Sequence, residues 1–132
     1  MTTHQPVPQA TRDLLARPWT VLFWWGLPLA AGWSADAAAL PRPAETFVWA
    51  AALAWMGAGC ALNAWRCGRP HCYVAAPVLI LGALGAALTA LGLSPWGSGA
   101  AGYVINGALG LALLSFLAEC ALGRHRRGGK LG

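Results

Sequence analysis

Four apolar runs take up most of this chain: residues 19–40, 46–65, 73–93 and 99–122. Each has about the twenty residues that a helix needs to cross a hydrocarbon core of roughly 30 Å. In lipid, every backbone N–H and C=O must find its partner within the protein, which leaves only helices and closed barrels. The runs are continuous rather than alternating, so they predict helices. Only 10% of the 132 residues are charged and 58% are hydrophobic, whereas about a quarter of an ordinary soluble domain is charged. The expected fold is an all-α integral membrane bundle of four transmembrane helices. It divides into a disordered or interfacial segment 1–17, a bundle 18–123 and a basic tail 124–132.

A net charge of +5 raises the question of nucleic acid, and the placement of the charge answers it. Arg12 and Arg17 precede the first run, Arg66 and Arg69 separate the second from the third, and Arg124, Arg126, Arg127 and Lys130 follow the fourth. Only Arg42 lies in the other loops. With four spans, the first three groups share one face of the bilayer. Basic loops stay on the cytoplasmic side, so both termini and the 66–72 loop are expected there, in a multi-pass protein of the cytoplasmic membrane. A basic start, an apolar stretch and Ala37-Ala38-Ala39 also fit a cleaved signal peptide. That run is long for a signal and carries Trp19, Trp24, Trp25 and Trp33, so it is read as a span.

Within the spans, Pro28 predicts a kink. Gly68 and Pro70 predict the end of the second helix. Asp36 reads as a headgroup-level polar residue and Asn106 as a hydrogen-bond donor to a neighbouring helix. Trp33, Trp49 and Trp96 map to the outer interface, and Trp19, Trp65 and Tyr73 to the inner one, as aromatic belts. Small residues four apart, such as Gly57 with Ala61, Gly82 with Ala86 and Ala108 with Ala112, allow close helix approach.

The chemistry-bearing residues gather between the second and third runs. Cys60, Cys67 and Cys72 are three of the four cysteines, and His71 lies among them. Cytoplasmic thiols stay reduced, and reduced thiols with an imidazole suit soft ions: mercury, copper(I) or zinc. Arg66 and Arg69 favour the thiolate. The Gly-Arg-Pro-His turn is expected to bring Cys67 and Cys72 to one point, with His71 adding a nitrogen. Cys60 precedes Cys67 by about 10 Å along a helix, too far to share one ion at a metal–sulfur distance of about 2.3 Å. It is expected to form a deeper position, with Asn63 on its face. Cys120, near the same end of the fourth run, is expected to meet Cys60 across the bundle. Glu119 beside it reads either as a proton or ion relay or as a salt-bridge partner of Arg124 or Arg66. No zinc-finger spacing, nucleophilic triad motif or phosphate loop is present, so enzymatic chemistry is not the first expectation.

The segment Asn63-Ala-Trp-Arg-Cys67-Gly68-Arg69-Pro-His71-Cys72-Tyr73, followed by Pro77, resembles a signature of small four-span bacterial membrane proteins of unassigned function. Glu119-Cys120 and Gly123-Arg124 extend the resemblance, which implies a fold and a shared ligand site. More distantly the chain resembles the mercuric-ion transport proteins, which are also small bundles with a cytoplasmic cysteine pair. Cys67 and Cys72 match that pair. The family's cysteine pair in the first span has no counterpart here.

Three functions are open on this reading. The first is a membrane protein that binds, transports or hands over a thiophilic ion through Cys67, Cys72, His71, Cys60 and Cys120. The second is a thiol-redox protein using Cys67 and Cys72. The third is an accessory subunit without chemistry. The expected partners are the bilayer, a metal ion and a second copy or a membrane complex, with no nucleic acid.

Overall fold

The computed structural model describes residues 14–128, with Leu15, Cys67 and residues 123–128 described in their backbone only. The expectations for segment 1–13, for 129–132 and for the thiol of Cys67 lie outside the described residues. A 3-10 turn at Leu14–Ala16 leads into α1, a helical run over 18–37 composed of Pro18–Val21, a π-helical stretch Leu22–Gly26 and Leu27–Ala37. α2 spans Arg42–Cys67, α3 Pro70–Ala90 and α4 Ala100–Gly128. Among the described residues, three helices (α2, α3 and α4) are long and apolar enough to cross a membrane.

Local chemistry sets the boundaries. Pro28 has no N–H, and its ring crowds the carbonyl of Trp24 four residues earlier. The ladder shifts there, and the expected distortion takes the form of the π stretch one turn ahead of the proline. α2 ends where Gly68 turns left-handed at φ +63° and donates its N–H to the Ala64 carbonyl at 2.8 Å. Arg69 is extended, and Pro70 opens α3. A proline at the first helical position loses no bond. Pro70 therefore starts a helix as well as ending one, and α3 begins earlier than the expected residue 73.

The helices pack largely in chain order, with α1 against α2, α2 against α3, and α3 against α4. Leu53, Met56, Leu79 and Cys72 are fully buried at the centre. Small residues let the backbones close in. A Cβ on Gly82 would lie 2.5 Å from the Cβ of Ala108, and one on Gly57 would lie 2.8 Å from Ile80 Cγ1. Such contacts drive helix association in lipid, where apolar burial by itself contributes little.

Trp19, Trp65 and Tyr73 are exposed, as are Trp33 and Trp96. Trp49 departs from the belt expected of it and is 7% exposed. It packs over Gly32, where a Cβ would meet the ring at 2.7 Å. Its indole N–H donates to Asp36 Oδ1 at 2.8 Å. Asp36 is thus the polar partner of a buried tryptophan. Asn106 donates to the Gly102 carbonyl of its own helix at 2.8 Å rather than to a neighbouring helix, because its side chain is exposed. Of the three helices long and apolar enough to cross a membrane, α4 is the least buried: 17% of its apolar window, against 56% in α2 and 44% in α3.

Candidate functional site

The early start of α3 decides the site. Because the helix begins at Pro70, His71 and Cys72 lie in its first turn and face inward. They are 4% and 1% exposed, where a loop reading puts them in solvent. The last turns of α2 present Cys60 and Asn63, both 3% exposed, to the same point. Their spacing of three places them on one helix face. α4 brings Glu119 from the far side of α3.

Cys60 and Cys72 line the same small cavity from two helices. Asn63 Nδ2–H donates to Cys72 Sγ at 3.5 Å. His71 Nε2 lies 3.2 Å from the same sulfur. The other ring nitrogen, Nδ1, contacts Glu119 Oε2, which also accepts the backbone N–H of His71 at 3.1 Å. A carboxylate at Nδ1 fixes the tautomer: Nδ1 carries the proton and Nε2 turns a lone pair to the thiol. The rings of Phe116 and His71 stand nearly perpendicular, with centroids 5.4 Å apart. Arg69 Nη1 lies 3.8 Å from Glu119 Oε1, a half-exposed pair that orients the carboxylate more than it stabilises the fold.

This arrangement can move a proton. Cys72 can pass its proton to His71 Nε2, and Glu119 then balances the imidazolium. The charged sulfur would keep the Asn63 amide as a donor. Beside the sulfurs is a cavity of about 10 Å³, lined by Leu14, Trp24, Gly59, Cys60, Asn63 and Cys72 among others. That is space for about one water-sized occupant, too little for an organic substrate. A separate apolar cleft of about 260 Å³ runs along the other side of His71, between Trp25, Ala75 and Phe116.

The structure joins the predicted residues differently from the sequence reading. Cys72 shares its cavity with Cys60, which is expected from the sequence at a deeper position opposite Cys120, because α3 docks its first turn against the penultimate turns of α2. Cys67 ends the α2 backbone. Cys120 is exposed and does not meet the buried Cys60, because Glu119 takes the α4 position facing α3. Glu119 pairs with His71 and Arg69, a combination the sequence reading did not contain. Among the described residues, no three His, Cys, Asp or Glu side chains converge as a metal-holding group. The metal-ligating chemistry that comes together is the two-sulfur pair. Neither a family model, nor a curated protein, nor a solved structure matches the chain.

Proposed function

We propose that the chain is a four-span membrane protein that binds a thiophilic metal ion between Cys60 and Cys72 and passes it on by thiolate exchange. The observation that supports this reading is a pair of buried thiols from two helices beside an imidazole able to accept a proton. Soft thiolate ligands select soft ions. Copper(I) and mercury(II) accept two sulfurs, whereas structural zinc takes four ligands. Binding replaces two S–H bonds by two metal–sulfur bonds and frees two protons, the first passing through His71. Release follows when an incoming thiolate takes one coordination position and the displaced cysteine is reprotonated.

The topology belongs to the same proposal. The helical run 18–37 is about 30 Å long at 1.5 Å per residue, which supports α1 as the fourth span. Basic residues at both ends of the chain and in the α2–α3 turn favour a cytoplasmic position for the termini and the site. There the thiols stay reduced. A bacterial inner membrane fits the resemblance of the Asn63–Tyr73 segment.

The test is an equilibrium titration of the purified protein in detergent with mercury(II) or copper(I), under a phosphine reductant that supplies no competing thiol. The expected result is about one ion per chain, bound more weakly as pH falls because protons compete for the sulfurs. Absence of saturable binding overturns the reading and moves the weight to an accessory role. Replacement of Glu119 by Gln keeps the size and removes the charge that balances His71. Loss of such an outer partner costs 10–100-fold in metal affinity, and the same titration reads it.

Two buried thiols on one small cavity also favour a second reading, a thiol-redox protein using Cys60 with Cys72. A disulfide between them, mapped by mass spectrometry after equilibration in oxidised glutathione, together with no ion binding, would select it.

A further inference from the structure

Asn63 is almost fully buried, and its amide contacts both Leu14 and Cys72. Its amide has one end that only accepts and one that only donates. The backbone N–H of Leu14 donates to Oδ1 at 3.0 Å across 49 positions of sequence. That commits the oxygen to the Leu14 side and turns the NH₂ end to Cys72 Sγ. Leu14 opens the 3-10 turn ahead of α1, and the turn is tied down in its own right. The Thr20 hydroxyl contacts the carbonyls of Leu14 and Arg17, the second at 2.7 Å. Leu14 also lines the small cavity beside the sulfurs.

We propose that Asn63 is a positioning residue of the ion site, held by the Leu14 backbone so that its amide N–H faces the Cys72 sulfur; this rests on the metal-ion reading and names one of its parts. A donor aimed at a charged sulfur is worth more than one aimed at a neutral thiol. An amide turned the other way would present its oxygen to that sulfur and oppose the charge. The turn before α1 therefore sets the orientation of a group on α2 and, through it, the state of a thiol on α3.

The test is the mercury(II) affinity of the full chain in detergent under a phosphine reductant. Asn63→Leu keeps the volume and removes the donor. Leu14→Pro removes the backbone N–H, and Leu14→Ala keeps it. The expected result is affinity about tenfold lower in Asn63→Leu and Leu14→Pro, with Leu14→Ala matching the parent. Should Asn63→Leu fail to fold, the two Leu14 variants decide. Equal affinities in Leu14→Pro and Leu14→Ala, beside a parent that binds, overturn this proposal and leave the ion reading standing, as does an unchanged affinity in Asn63→Leu. A parent chain that binds no ion overturns the ion reading and this proposal with it.

Discussion

Serine at both Cys60 and Cys72 is expected to weaken mercury(II) or copper(I) binding at least about a thousandfold, roughly 4 kcal/mol. Each substitution keeps the shape of the side chain and exchanges a soft sulfur for a hydroxyl that soft ions bind poorly. Both thiols line one buried cavity, so the ion would lose both proposed ligands at once. Either single substitution should fall between, since one thiol and the 3.2 Å approach of His71 to position 72 mark what remains. Cys120→Ser is the internal control. That residue is exposed, and its replacement should leave the titration unchanged. Full binding by the double variant would move the site away from the α2–α3 pair and refute the assignment.

Gly82→Leu is expected to reduce stability by about 3 kcal/mol, measured as the shift in unfolding by a denaturing detergent. An added Cβ already stands 2.5 Å from the Cβ of Ala108 and 3.5 Å from Leu53 Cδ1. Overpacking of this kind costs about 1–3 kcal/mol, more where backbone must move. Here it must, because the crowded atom of Ala108 is bound directly to its backbone. The same variant should weaken ion binding although residue 82 lies nearly three helical turns beyond Cys72. Forcing α3 and α4 apart withdraws Glu119 from His71, the contact that balances the proton taken from Cys72. A loss of stability with unchanged ion affinity would separate the α3–α4 crossing from the site.

The helical membrane character was legible because it is written in composition: long uncharged runs leave the backbone no other way to satisfy itself in lipid. The end of α2 at Gly68 was legible for a local reason, a glycine where the chain turns left-handed. The start of α3 was misread although its signal was present. Pro70 ends one helix and is pre-formed for the first position of the next, and only the second role buries His71 and Cys72. Spacing along the chain paired Cys67 with Cys72. The Cys60–Cys72 pairing depends on the register between α2 and α3, and no local pattern encodes it. Glu119 stood out as a carboxylate within a span, a costly placement without a partner. Its partner was hidden because His71 was assigned to a loop. Trp49 was misplaced for a similar reason: the room for its ring is made by Gly32 on another helix.

The weak embedding of α4 gives the molecule a lever arm. One close contact with α3 is at Ala108, and Glu119 lies about 16 Å further along the axis at 1.5 Å per residue. A tilt of about 10° around that contact would carry the carboxylate roughly 3 Å, by the geometry of a rigid rod of that length. That is enough to part it from the imidazole while the dithiol, built on α2 and α3, stays where it is. Only 17% of its apolar window is buried, and it packs against α3 far more than against α2. The acid is thus mounted on a helix largely open to its surroundings, and the sulfurs on the better buried pair of α2 and α3.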